Sequence, residues 1–411
     1  MKPRSRQKIE YLSESSFWQI LERWPKERPL LSIGGQGSPN KLIALDFYEV
    51  EEAEFMEQNF SGIQENEECS LSTGYIACLA YDDCSQSRSR YFRMTKVLSF
   101  TEGRCYLTQE AENSLDGWHC SMAEIQDILT IPPKMGCMAK WSSKWTKKQY
   151  LGAVERCQAD IRNGRYYQIN LLQYYHLENA HEPIDWFQYF QKSSGPLAAW
   201  IRVPDLELIS FSPERFFRVL AHNKKAKILA QPIKGTSPVY LDECKNEASM
   251  AFLKSSEKDQ AELHMIVDLM RNDLNRISIP GTVTVSDPGS LHSFSNVHHL
   301  IASVEADLHE SCNLAELLKA LAPGGSITGA PKLEVMGAIT EYEGTDRGFY
   351  MGNICYFDPH LKYFDSSILI RTVCLNHESQ YSFAAGSGLT INSIAESEWG
   401  EIQSKASLVI S

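Results

Sequence analysis

The clearest periodic stretch of the chain begins at Thr146. Tyr150, Val154, Cys157 and Ile161 recur at helical spacing, with polar residues on the other face. Thr146 followed by Gln149 forms a capping-box pattern, and Gly164 suits the helix stop. A second helix is predicted over 258–274, with Leu263, Ile266, Val267, Met270 and Leu274 facing inward. Ala395-Glu-Ser-Glu-Trp-Gly-Glu401 also reads as helix. The other apolar runs are strand-like: 41–45, 74–81, 166–175, 206–217, 225–233 and 368–372.

Long strands before and after helices, at hairpin-like spacing, predict an α+β fold rather than a βαβ repeat. Ile131-Pro-Pro-Lys134 breaks the chain and predicts a connector. It is expected to separate an N-terminal subdomain, 1–140, from a second domain, 141–411.

Composition narrows the class. A hydrophobic content of 43% over 411 residues supports a sizeable core. The net charge of -12 argues against nucleic acid, whose binders present a basic face. It leaves an anionic substrate open, because pocket charge dominates at short range. The 11 cysteines show neither a Cys-x-x-Cys pair nor zinc spacing, and read as reduced thiols. Met1-Lys-Pro-Arg-Ser-Arg6 is basic but leads into no apolar run of the signal-peptide kind, and no run is long enough to span a bilayer. A cytoplasmic location is expected. Neither a Walker loop nor Gly-x-Gly-x-x-Gly at a strand–helix junction is present, which leaves ATP and dinucleotides without support.

Candidate chemistry starts at Gln231-Pro-Ile-Lys-Gly-Thr236. A lysine on the rim of a core can act as a nucleophile when burial favours its neutral amine. A solvated loop charge is the plain alternative. Gly235 would let a ligand approach the backbone, and Thr236 adds a hydroxyl. Asp259 and Glu262 share one helical face by their spacing, as do Glu398 and Glu401. Two such faces meeting across a pocket would suit Mg²⁺, a hard cation that prefers oxygen ligands; otherwise they are two solvated faces.

Pro323-Gly-Gly-Ser-Ile-Thr-Gly-Ala-Pro-Lys332 is a glycine-rich turn into a helix, with Pro331 suited to the first helical position. Free N–H groups at such a place bind anions, or simply start a helix. Arg371 is a lone cation in an apolar run and needs an anionic partner. His298-His299 reads as a hydrogen-bonded core pair or as part of a site. Glu214, in Ser212-Pro-Glu-Arg-Phe216, stands about one hairpin before Lys234, and could form a turn ion pair with Arg215. The polar stretch 221–226 marks the hairpin tip.

Taken in order over 145–408, these motifs resemble those of the chorismate-utilising enzymes. Pro-Ile-Lys-Gly-Thr, Ser-Pro-Glu-Arg-Phe, the glycine-rich turn, Val297-His-His-Leu-Ile-Ala-Ser303 and both acidic helices carry the likeness. The resemblance implies a large antiparallel β-sandwich core with flanking helices, as in anthranilate synthase component I, and implies that 141–411 is the catalytic domain. It implies Mg²⁺ held directly by Glu262 and Glu401, with Asp259 and Glu398 acting through water. Thr328 and Gly329 would contact substrate beside Gln168 and Thr236. Arg371, helped by Tyr350, would bind the enolpyruvyl carboxylate. Lys405 and the backbone of Gly386 and Gly388 would hold the other carboxylate. His299 would stand near the leaving hydroxyl.

Lys234 marks a branch. The lysine form resembles the aminodeoxychorismate synthase component I branch, whereas anthranilate synthases usually carry alanine there. In that branch the lysine bonds to the substrate and Glu214 is general acid/base. Tyr167-Gln-Ile-Asn-Leu171 agrees, since water-using relatives carry lysine where Gln168 stands and glutamine cannot act as that base. The implied reaction is amination of chorismate at C4 towards 4-aminobenzoate and folate. Ammonia would come from a glutamine amidotransferase subunit, since the chain shows no cysteine elbow with a His-x-Glu partner. The alternatives are anthranilate synthase component I and a non-catalytic chorismate-binding homologue. Residues 1–140 match more weakly, and Leu30-Leu-Ser-Ile-Gly34 departs from the family's tryptophan-binding motif.

Overall fold

The computed structural model describes residues 4–63, 71–82, 88–110, 117–133, 136–179, 183–293, 297–375 and 380–410. Met1, Lys2 and Pro3 of the basic start and Lys134 of the expected connector lie outside the described residues.

One antiparallel sheet, doubled back on itself, forms the core. Its first limb runs from Gln168–Leu177 through Tyr381–Leu389, Thr372–Leu375, Leu206–Ser210, Ala199–Val203, Leu30–Ile33 and Asn40–Glu49 to Arg90–Thr101. The path then turns through Gly74–Leu79. Its second limb runs through Asn353–Asp358, Tyr363–Ile368, Arg215–His222 and Lys225–Ala230 to Val297–Asp307. That last strand also takes Ile233–Pro238 and Thr284–Ser293. The limbs face each other across one core, with Leu172, Ile201 and Leu208 on one side and Val219, Ile228, Ile354 and Phe364 on the other. Strands of 1–140 and of 141–411 therefore share a single sheet.

Helices close the outer faces. Phe17 and Ile20 of Glu14–Arg23, Tyr150, Val154 and Cys157 of Lys147–Arg162, and Ile402 and Ala406 of Ala395–Ile410 cover the first limb. Gln168–Leu177 is covered on both faces and is buried along nearly its whole length. The helix Glu257–Leu274 lies on the second limb, burying all five of the residues expected to face inward. The Thr146–Gln149 capping box is present, and Gly164 has φ +77°. Asn223 and Lys224, both at positive φ, close the tight hairpin between Arg215–His222 and Lys225–Ala230. The α+β expectation with an antiparallel core is met. Among the described residues no helix is long and apolar enough to cross a membrane.

Three local expectations are corrected, two for one reason. The run 206–217 is two strands, Leu206–Ser210 and Arg215–His222, because the chain passes there from the first limb to the second. Arg371, expected in a strand, lies where the chain passes back between Tyr363–Ile368 and Thr372–Leu375, at φ +50°. The two passages run side by side: the Phe211 N–H donates to the Arg371 carbonyl, and the Ile368 N–H to the Glu214 carbonyl. Pro331 precedes its helix, Lys332–Glu343, as the cap residue rather than opening it.

A buried ion pair joins the parts around these passages. Arg347 is 1% exposed and grips Glu343 through Nε at 3.1 Å and Nη2 at 2.7 Å. Its remaining donors reach the carbonyls of Ile327 and Asn170 at 2.8 and 2.7 Å. Glu343 in turn accepts from the Leu172 N–H and the Tyr174 hydroxyl. The short strand Gly329–Ala330 covers only the start of Gln168–Leu177, so the Glu343 carboxylate satisfies that edge further along.

Replacing Arg347 by methionine leaves a buried carboxylate without its counter-charge, which costs about 3–5 kcal/mol. We expect the urea midpoint to fall accordingly, and the double change with Glu343→Gln to regain part of the loss. A single variant that unfolds like the parent protein would remove the pair from this role.

Candidate active site

Lys234, expected in a loop, is the second residue of the strand Ile233–Pro238. The register against Val297–Asp307 slips between Lys234 and Thr236, and Gly235 sits in the slip at φ +64°. This is a β-bulge, a device that re-aims side chains beside active sites. A Cβ on Gly235 would lie 2.6 Å from Leu253 Cδ1 and 3.0 Å from Asp259 Cγ. The glycine thus admits the neighbouring helices, where the sequence suggested a ligand. The bulge leaves the Gly235 carbonyl facing Nδ1 of His299 at 3.0 Å, with the Thr236 hydroxyl at 3.1 Å. A carbonyl only accepts, so Nδ1 carries the proton. Burial first, then the Arg371 and His298 charges, hold this imidazole below its usual range despite the Gly235 carbonyl. His298, by contrast, is bound by Ser293 and Asn246 and is a core fixture.

Two helices bring four carboxylates to this bulge. Nζ of Lys234 lies 3.8 Å from Glu262 Oε2, and its side chain is 14% exposed. Glu398, on the facing Ala395–Ile410 helix, has a side chain 1% exposed. Burial pushes the Glu262 carboxyl up, reinforced by Asp259 and Glu398 and opposed by Lys234 and Lys258. Glu401 lies at the rim, 2.5 Å from Lys405. Burial works against its ionised form, yet Lys405, Lys258 and Lys234 hold it below the usual carboxylate range. Asp259 accepts the Ser256 hydroxyl at the helix start.

The donor set suits a hard cation. Oε1 of Glu262 and Oε2 of Glu398 are buried and accept no hydrogen bond among the described residues. Such oxygens are costly unless something compensates them, and Mg²⁺ takes carboxylate oxygen. Among the described residues, no three His, Cys, Asp or Glu side chains are already drawn into a ligand cluster. Lysines stand among the carboxylates instead.

Opposite the acids lies Gln168. It is fully buried, and neither amide atom has a hydrogen-bond partner among the described residues. It faces Gly388, where an added Cβ would lie 2.8 Å from Gln168 Nε2 and 3.8 Å from Glu262 Oε2. The missing side chain keeps the space between amide and carboxylate open. Lys405 donates to the Gly386 carbonyl at 3.0 Å, on the same strand. Gly329, at φ +146°, packs on the Gln168 carbonyl.

Glu214 and Arg371 complete the pocket from their adjoining passages. Burial pushes the Glu214 carboxyl up, against the pull of Lys234, Lys405 and Arg371 and a hydrogen bond from Ser326. Arg371 is lowered by burial and faces Glu214. The Glu214–Arg215 pair considered for this turn is absent, because Arg215 binds Asp365 at 2.7 Å.

Two expected contacts are differently placed. The Thr328 hydroxyl donates to the Gly324 carbonyl within its own turn, so it fixes the turn rather than reaching outward. The Tyr350 hydroxyl meets Ser382 at 2.5 Å inside the core, not Arg371. Sequence reasoning missed Lys258, which binds Glu398 at 2.9 Å, and Ser326. Lys258 could have been found from its position one helical turn before Glu262; Ser326 lies within the glycine-rich turn already singled out.

The family described as chorismate binding enzyme matches residues 47–411. Aminodeoxychorismate synthase component 1 of Salmonella typhimurium is 36% identical over 274 residues, 66% of this chain and 58% of the relative. The Bacillus subtilis protein of that name is 31% identical over 289 residues, 69% of this chain and 60% of the relative. Anthranilate synthase component 1 3 of Haloarcula marismortui is 30% identical over 317 residues, 76% of this chain and 59% of the relative. The chain thus spans about three-fifths of the length of these relatives. Anthranilate synthase component I from Streptococcus pneumoniae TIGR4 has a similar fold, with TM-score 0.72 and 22% identity over 100% of this chain and 92% of that one. So has the menaquinone-specific isochorismate synthase MenF of Escherichia coli, with TM-score 0.75 and 17% identity over 100% and 95%.

Two glycine substitutions separate site from scaffold. Gly388→Ala meets only the end of the Gln168 side chain, so we expect kcat/KM to fall roughly tenfold or more with little change in melting, about 1.4 kcal/mol of transition-state binding. Gly329→Ala meets backbone at positive φ and should lower the melting temperature as well. Equal effects of both on melting would contradict this division.

Proposed function

Because this chain belongs to the family of chorismate binding enzymes, we propose that it aminates chorismate at C4 to give 4-amino-4-deoxychorismate. Lys234 carries this reading: an amine at the bulge, in the field of both Glu262 and Glu214. The relatives named aminodeoxychorismate synthase component 1 support it.

Arg371 and Lys405 supply positive charge for the two substrate carboxylates. The resemblance makes Glu262 and Glu401 the direct ligands of Mg²⁺; the orphaned oxygens favour Glu262 with Glu398 instead, with Glu401 and Asp259 beside them, and when bound the ion would neutralise the ring carboxylate. Neutral Lys234 attacks C2 while the C4–O bond breaks, and the Glu214 proton leaves with the hydroxyl as water. A carboxyl whose proton is held more firmly by burial suits that step. The lysine adduct returns a proton to the pocket. Ammonia then bonds to C4 as the C2–N bond breaks, and Lys234 departs as the amine. The sum is chorismate plus ammonia to aminodeoxychorismate plus water. His299, neutral and protonated on Nδ1, serves as an acceptor near the departing oxygen rather than as the acid. A glutamine amidotransferase subunit would supply the ammonia, towards 4-aminobenzoate and folate, in the cytoplasm.

The test is chorismate with ammonium and Mg²⁺, followed by mass and chromatographic analysis. The expected product is the para-aminated one; anthranilate or isochorismate as main product would sink the assignment. Lys234→Ala should abolish para-amination, and unchanged turnover would rule out the covalent role.

The raised Glu214 carboxyl gives a pH dependence with a definite sign. Its acid form exists below the folded pKa and is lost as pH rises through it, so kcat should fall on the alkaline side of that value. The same group contributes least to stability above that pH, because the unfolded chain then ionises more easily. Glu214→Gln should remove this limb together with most of the activity, and an alkaline limb that survives in the variant belongs to another group.

A further inference from the structure

The lysines among the carboxylates are not equivalent. Lys405 is engaged with both Glu401 and the Gly386 carbonyl. Lys234 reaches Glu262 from the sheet. Among the described residues Lys258 has no such commitment outside the acidic cluster: its Nζ is 2.9 Å from Glu398 Oε1 and 3.9 Å from Glu262 Oε1. It therefore bridges the two helices at the point where both present carboxylates. Glu262 Oε1 is too far for a hydrogen bond to Lys258, and Glu398 Oε2 has no hydrogen-bond partner among the described residues.

We propose that Lys258 is a tethered stand-in for the divalent cation, holding Glu398 and Glu262 together across the two helices until the ion binds, and withdrawing when it does. The proposal rests on the reading that these two carboxylates face Mg²⁺. Two buried carboxylates approaching without a cation would repel, and burial strengthens that repulsion. An ammonium on a four-carbon stem can neutralise them without fixed geometry. Lys258 is 42% exposed at its side chain, so solvent lies within reach of its head when another cation takes its place. Mg²⁺ would satisfy both orphaned oxygens, which one ammonium does not. The stand-in keeps the acidic helices at a near-binding separation, at the expense of competing with the ion.

The competition is measurable without turnover. MgCl₂ is titrated into the full chain, free of chorismate, by calorimetry, for the parent protein, Lys258→Met and Lys258→Arg. Lys258→Met should bind Mg²⁺ at least tenfold more tightly than the parent, and Lys258→Arg within about threefold of it. In thermal melts without Mg²⁺, Lys258→Met should unfold several degrees lower, and saturating MgCl₂ should restore it. Equal or weaker Mg²⁺ binding by Lys258→Met, or a melting loss that Mg²⁺ does not repair, overturns the proposal and makes Lys258 a plain interhelical clamp. Mg²⁺ binding by the parent protein tests the metal reading separately. If neither the parent nor Lys258→Met binds the ion, both fall.

Discussion

The site depends on the buried pairing of Glu343 with Arg347. A carboxylate and a guanidinium taken out of water hold only if nearly all their donors and acceptors are met. Here the unmet groups lie on the parts that frame the pocket. Arg347 gathers the carbonyls of Ile327 and Asn170, and so ties the glycine-rich turn to the strand that carries Gln168. Glu343 completes that strand's edge at Leu172 and Tyr174. Asp82 accepts from the N–H groups of Arg347 and Gly348, which brings the N-terminal part of the chain to the same knot. The pair gains little by itself; its value is that few other arrangements of these three segments would satisfy it.

Around that knot the doubled sheet sets the chemistry. Where the chain passes between limbs, backbone is free of regular pairing, and there Glu214 and Arg371 stand side by side. Where the register slips, Gly235 brings its carbonyl to His299, and Lys234 lies beside the slip. Where two helices meet over the sheet, the acids gather. The pocket is built from interruptions of the fold, each held by regular structure on both sides. Its electrostatics follow from burial: a carboxyl pushed up, an imidazole pushed down, and carboxylates answered by lysines.

Much of this was legible in the sequence. The capping box at Thr146 and the inward face of Glu257–Leu274 stand as read, because helix periodicity and caps are local. The α+β class followed from the order of runs. Strand ends were less legible. The run 206–217 is continuous in hydrophobicity yet broken in space, since a chain changing limbs keeps its apolar pattern while losing its partner. The run 225–233 is broken too, into Lys225–Ala230 and the start of Ile233–Pro238, although both pieces pair with Val297–Asp307. Tyr350 and Thr328 look like polar contacts by residue type, but their hydroxyls turn inward to Ser382 and Gly324. No spacing rule says which way a hydroxyl points.

By itself, then, the sequence determined the kinds of chemistry available: a lysine beside a glycine, paired carboxylates one helical turn apart, a lone arginine. These are matters of residue type and short-range periodicity. Only the tertiary structure decided which of them meet. Glu214 and Arg371, far apart in the chain, become neighbours through two adjoining passages between limbs. Gln168 faces Glu262 only because Gly388 leaves the space open. Lys258 comes to lie between acids of two helices that share no sequence relation. Such meetings depend on strand register and helix docking, which are fixed by the packing of the whole core and not by any local stretch.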